Sequence, residues 1–190
     1  MRRALACLVL VLAAAGACAQ PVAVEGVKFE PTASVGGETL VLNGAGLRTR
    51  AFFKVYAAGL YVPQKSADAA TLLAQTGARR MSIGMLRDVD ATTFANSLLE
   101  GLKSNHTEAQ LAALKTQIEQ MQATLKGMGE AKKGDAILLD WVPDTGTQII
   151  VNAQPRGEPI AGAAFYTALL RVWLGEKPAD SSLKKALLGG

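Results

Sequence analysis

The sequence predicts an α+β domain with an antiparallel sheet and helices packed on one of its faces. Three observations carry that reading. Strand-like segments come in runs broken by glycine turns rather than one at a time, helical periodicity comes in separate blocks, and no regular strand–helix–strand alternation of a parallel sheet is present.

The chain opens with Arg2 and Arg3, an apolar run from Ala4 to Ala15, and the small-residue triplet Ala17-Cys18-Ala19. The run is far shorter than the roughly 20 residues that span a bilayer as a helix, and it has the layout of a secretory signal peptide, so cleavage before Gln20 is expected. The domain division is then residues 1–19 as signal peptide and 20–190 as a single domain, exported to the periplasm or secreted. Lipid anchoring at Cys18 is the competing reading, disfavoured because Ala15 stands where a lipobox usually has Leu. Both cysteines, Cys7 and Cys18, fall in the discarded segment, which leaves no disulfide framework and no thiol nucleophile. Removing Arg2 and Arg3 takes the formal net charge from +4 to +2, so no nucleic-acid partner is implied. No transmembrane segment is expected after signal removal, and nothing in the pattern specifies an oligomeric state.

From Val22 to Tyr61 β-formers alternate with glycines, giving three or so antiparallel strands, with Gly36-Gly37 and Gly44-Ala45-Gly46 as the turns. Pro63 closes the last of them, and Ser66 caps a short helix over Ala67–Gln75. Arg80–Leu86 alternates as a strand. Asp90 is a fitting N-cap for a helix over Ala91–Lys103, with Phe94, Leu98 and Leu102 on one face. Thr107 with Gln110 forms a capping-box pattern opening a second amphipathic helix, whose stripe is Leu111, Leu114, Ile118, Met121 and Leu125. Lys132–Asp135 reads as a turn into a strand over Ala136–Val142, and Pro143–Gly146 as a hairpin into Thr147–Asn152. The tail is helical over Ala161–Trp173, and again from Asp180 or Ser181 to Leu188.

Chemistry is sparse. A single histidine and the lack of cysteine after residue 19 argue against a metal site, and no cofactor is expected. His106, just before the Thr107 helix start, suits a capping role better than that of a general base. The Gly44-Ala45-Gly46 segment is too short for a dinucleotide fingerprint and lacks the Lys-Ser/Thr of a phosphate loop, and no Gly-x-Ser-x-Gly elbow occurs. Arg48, Arg50 and Lys54 lie beside a strand carrying Phe53, Tyr56 and Tyr61. By composition alone they are either surface charges or the anchor of a carboxylate or enolate in an apolar hollow.

Three separated motifs resemble the chalcone isomerase-like family. Leu42-Asn-Gly-Ala-Gly-Leu-Arg48 with Phe53-Lys-Val-Tyr-Ala-Ala-Gly-Leu-Tyr61 is similar to its Gly-Ala-Gly-x-Arg and Lys-x-x-x-x-Gly-x-Tyr segments. Leu169-Leu-Arg-Val-Trp-Leu-Gly-Glu176 with Ser182-Leu-Lys-Lys-Ala-Leu-Leu188 resembles its C-terminal helix pair, and the Lys-Gly-Asp and Pro-x-Thr-Gly-Thr segments at 133–135 and 143–147 resemble those of its bacterial exported branch. The resemblance spans nearly all of residues 20–190. It implies an open β-sandwich with a cleft, in which plant members close a chalcone to a flavanone and an essential arginine stabilises the enolate. That arginine falls on Arg48. The family's strand threonine falls on Tyr56, its helix tyrosine on Phe94, its asparagine near Gly101 and its C-terminal threonine on Val172. Only the cation survives, so efficient isomerisation is not expected. Plant relatives that bind fatty acids imply the remaining use: a small amphipathic acid held by Arg48 and Tyr56 between the apolar walls Phe94 and Val172. The alternative is an isomerase, an intramolecular lyase of the chalcone isomerase type acting on a chalcone-like or other enone with Arg48 catalytic. A third reading is a scaffold for another envelope protein.

Overall fold

In the computed structural model, residues 20–190 are described. The expected signal peptide and both cysteines lie outside the described residues.

The chain begins with a small hairpin, β1 (Val22–Val24) and β2 (Val27–Phe29), turned at Glu25 and Gly26, both with positive φ. Two consecutive positive-φ residues match the right-handed twist of the strands they join. Gly36 and Gly37 repeat the device between β3 (Thr32–Val35) and β4 (Glu38–Arg50). The long strand β5 (Phe53–Val62) follows, then α1 (Ala69–Ala74), β6 (Arg79–Met85) and the two-residue β7 (Val89–Asp90). Three helices come next, α2 (Ala91–Asn105), α3 (Glu108–Ala113) and α4 (Lys115–Lys126), then β8 (Glu130–Ala131), which pairs with β7. The chain ends with β9 (Ala136–Val142), β10 (Gly146–Val151), β11 (Gln154–Ile160), α5 (Ala163–Leu174) and α6 (Ser181–Leu187).

The main sheet has seven antiparallel strands in the order β11-β10-β9-β6-β5-β4-β3. It is two meanders, β3 to β6 and β9 to β11, joined at the β6–β9 seam, with α2 to α4 inserted between those two neighbours. On one face, Tyr56, Leu60, Ile83, Leu139 and Ile149 meet Phe94, Leu98, Met121, Leu169 and Trp173 of the helices in the principal core. Helix α5 is buried through most of its length, which explains its nearly continuous apolar sequence. On the other face a smaller cluster forms under the β1–β2 hairpin, where Phe29 packs with Leu40, Leu42, Ala57 and Tyr61. Gly59 and Gly84 make room there, since a side-chain carbon at either would collide with Phe29 or Val27.

The α+β class and the antiparallel sheet agree with the sequence reading; several local expectations do not. Val22–Tyr61 holds five strands rather than three, because a tight hairpin precedes the sheet. Gly44-Ala45-Gly46 is not a turn: it lies inside β4, where α6 sits so close that a Cβ on Gly46 would come within 2.6 Å of the Ala186 Cβ. The β4–β5 turn is made by Ala51 and Phe52, with Ala51 at φ 54°. Helix α1 is capped by Asp68 rather than Ser66, whose N–H instead donates to Asn43 Oδ1. The helix expected to run on from Thr107 breaks at Leu114, whose N–H closes a tighter turn on Leu111 O, although the Thr107–Gln110 capping box forms. Strand β11 is an addition to the sequence reading; its Pro155 and Pro159 are tolerated because β11 is an edge, with one neighbour only.

Candidate functional site

A cleft of about 470 Å³ opens where the β4–β5 hairpin, the β6–β7 connection and the first half of α2 meet the end of α5. Arg48, Tyr56, Phe94 and Val172, separated by up to 124 positions in sequence, all line it. Their convergence has a local cause. Arg48 and Tyr56 are direct cross-strand partners in the β4–β5 register, so both side chains leave the sheet on the helix side. Asp90 caps α2 by accepting the Thr93 N–H at 2.9 Å, which fixes the helix phase that turns Phe94 inward. Val172 comes from the last turns of α5 and packs against Gly101, where a side-chain carbon would approach a Val172 methyl to 2.6 Å. A side chain at position 101 would therefore collide with Val172.

Arg48 is half-buried, with 19% of its side chain accessible, so its guanidinium reaches the cleft without losing all its solvent. Its Nη1 donates to Thr49 O and lies 3.9 Å from Asp180 Oδ2. Asp180 is the N-cap of α6, accepting from Ser182 N at 2.8 Å and Leu183 N at 3.0 Å, and it also accepts from Thr49 N at 3.0 Å. Burial works to raise its carboxyl, but the Leu183, Thr49 and Ser182 donors and the Arg48 charge outweigh it and hold the group below the usual carboxylate range. One carboxylate therefore caps a helix, ties that helix to β4 and stands beside the cleft arginine.

The Tyr56 hydroxyl accepts a hydrogen bond from Trp173 Nε1 at 2.9 Å. Burial pushes its phenol up from the ordinary value, against the Trp173 hydrogen bond and the Arg48 charge, so the O–H is retained. Among the described residues no acceptor takes that proton. The cleft therefore holds a guanidinium and a phenolic O–H as neighbouring donors, against the apolar surface of Phe94, Val172, Val55 and Leu98. Such a pair can bind a carboxylate or the oxygen of a polarised carbonyl.

Sequence reasoning missed much of the rim. Arg87 stacks its guanidinium 4.6 Å from the centre of the Phe53 ring, and Asp88, Thr93 and Ser97 complete the mouth beside Arg50, which the sequence singles out with Arg48. Lys54, weighed beside Arg48, instead pairs with Glu25 at 2.7 Å on the surface. His106 Nδ1–H donates to Leu102 O at 2.9 Å, a structural role, though at the end of α2 rather than at the Thr107 helix start. Another cation gave no signal. Arg79 is 1% exposed, under the ring of Tyr166 at 5.1 Å, and its Nε and Nη1 have no protein partner among the described residues. Nor does any group of three or more potential metal ligands occur among them, and no helix there is long and apolar enough to cross a membrane.

The curled antiparallel sheet, the helices laid on one face and the cleft between them define an α+β class of open sandwich. The sequence profile of the chalcone isomerase-like family matches residues 21–189, and the chain belongs to that family. Among solved structures, a fatty-acid binding protein of Arabidopsis thaliana is similar, with TM-score 0.67 and 14% identity over 89% of this chain and 96% of that one. At that identity the likeness is one of fold. No functionally curated protein matches.

Proposed function

We propose that this protein is an exported binding protein for a fatty acid or a similar amphipathic carboxylate, held in the cleft with Arg48 as its anchor. The observation that carries the reading is the Arg48–Tyr56 donor pair at one end of an apolar-walled cleft. The guanidinium supplies paired, permanently charged donors, the Tyr56 O–H a further one, and Phe94 and Val172 the walls for a hydrocarbon chain. That a solved structure of the same fold is named a fatty-acid binding protein supports it. Export rests on the signal-peptide pattern of residues 1–19, and the mass of the protein from a periplasmic fraction tests it. A chain that still begins at Met1 would remove this part of the reading.

The test of the site is a calorimetric titration of residues 20–190 with a fatty acid. Arg48→Ala should weaken binding at least about tenfold, the loss of one charge-assisted contact, while the thermal midpoint changes little. Unchanged affinity would refute the anchor. A second reading is favoured by the same donor pair, which also suits an enolate: an intramolecular lyase acting on an enone. Loss of a chalcone's visible absorbance faster than in buffer, and dependent on Arg48, would move the assignment to catalysis. Phe94 and Val172 put apolar surface where the resemblance places the family's helix tyrosine and C-terminal threonine, so no acceleration is expected.

A further inference from the structure

We propose that the β4–β5 hairpin tip is a docking point for an anionic phospholipid surface, placing the cleft mouth against the membrane from which its ligand is drawn; this rests on the lipid-acid reading of the cleft. Phe52 is 98% exposed and Phe53 59% exposed, the only large aromatic side chains so presented among the described residues. A neighbouring pair of exposed phenylalanines on a turn has no use in a folded core, and the positive φ of Ala51 sets them at the apex of the loop. Aromatic side chains at such a tip insert into the boundary between headgroups and acyl chains.

The surroundings carry the charge that fits. Arg50 flanks the tip and Arg87 stacks on Phe53. The turn holding Lys132 and Lys133 lies at the same end of the sheet, because Lys133 N donates to Asp88 Oδ1 at 2.7 Å and Gly134 N to Met85 O at 2.9 Å. None of these four cations has a carboxylate within ion-pair distance among the described residues. The acids nearby are mostly short side chains held to the chain, Asp88 by Lys133 N, Asp90 by Thr93 N, and Asp135 by Lys132 N and Asn152 Nδ2, while Glu130, opposite Asp90 in the β7–β8 pair, is exposed. Two apolar rings ringed by long basic side chains suit a negatively charged lipid surface. Phe53, Arg50 and Arg87 also line the cleft, so a docked tip would set its entrance at the headgroup level.

The experiment is co-sedimentation of residues 20–190 with vesicles of phosphatidylcholine alone or mixed with phosphatidylglycerol, alongside titration of a fatty acid in free solution. The variants are Phe52→Ser, which lies outside the cleft, and the double variant Lys132→Glu/Lys133→Glu. Expected is binding to the anionic vesicles, at least about tenfold weaker in each variant and reduced by salt, with fatty-acid affinity unchanged. Wild-type protein that binds the fatty acid but no vesicles would overturn the docking and leave the cleft reading in place. Vesicle binding that depends on Phe52 without any fatty-acid affinity would uphold the docking and refute the cleft. Vesicle binding equal in all variants would overturn it. So would self-association that Phe52→Ser abolishes in the absence of vesicle binding, which would make a second copy of the chain the occupant.

Discussion

At the scale of single residues, two buried or half-buried cations behave differently. Arg48 has Asp180 beside it, and Asp180 is held below the ordinary carboxylate range. A lowered folded-state pKa contributes stability that is present above the unfolded value, near 3.9, and is lost as pH falls through the folded value. Asp180→Asn should therefore lower stability at neutral pH and flatten its decline below about pH 4, as urea midpoints across that range would show. Arg79 has only the face of Tyr166, and burial lowers its guanidinium from the ordinary value. Replacing an unpaired buried charge by an apolar side chain of similar volume is often neutral or favourable, so Arg79→Met should leave stability unchanged or raise it by about 1–3 kcal/mol in urea denaturation. Arg48 was legible because a motif surrounds it. Arg79 was not, because a basic residue at the start of a strand reads as exposed until the strand proves central and roofed by a helix.

Elements were legible where caps and turns carry their own chemistry. Asp90, the Thr107–Gln110 box and the Lys132–Asp135 turn each satisfy or punctuate the backbone locally, and each formed where expected. The misreadings concern contacts distant in sequence. Gly44 and Gly46 resemble a turn when only neighbours are considered, but they are flat ground on β4 for α6, which lies about 140 residues further on. Gly46→Leu should thus cost about 1–3 kcal/mol by overpacking, with amide exchange in α6 accelerated more than in α2. It should also weaken ligand binding, because moving α6 carries Asp180 away from Thr49 and Arg48. Equal protection of α6 in the variant and wild type would show that the helix is not seated on those glycines.

At the scale of the molecule, the sheet is roofed twice, by helices on the cleft side and by the β1–β2 hairpin on the other. The sequence pointed to helices on one face and left the second layer unseen, because six strand residues are too few to read as a cover. Phe29 is the plug of that layer, 2% exposed and seated over Gly59. Phe29→Ala should cost about 3–5 kcal/mol as a cavity under the hairpin, read as a lower urea midpoint with little change in slope. The cleft should keep its ligand affinity under conditions where the variant remains folded, since the hairpin packs on the opposite side.

The seam between β6 and β9 bears on how the protein assembles. Each meander pairs strands that are close in sequence, but Gly84 meets Ala136 only after the whole helical insertion has been bridged. Closing a loop of that size costs about 3 kcal/mol of chain entropy, which is recovered only when the seam zips and the helices settle on it. The two half-sheets can form early and independently, with their union setting the folding rate, in the slow regime of non-local β pairings. The cleft has walls from the first meander, from the insertion and, through Val172, from α5 beyond the second meander, so a newly made chain completes the place for the proposed ligand only at the last stage of folding.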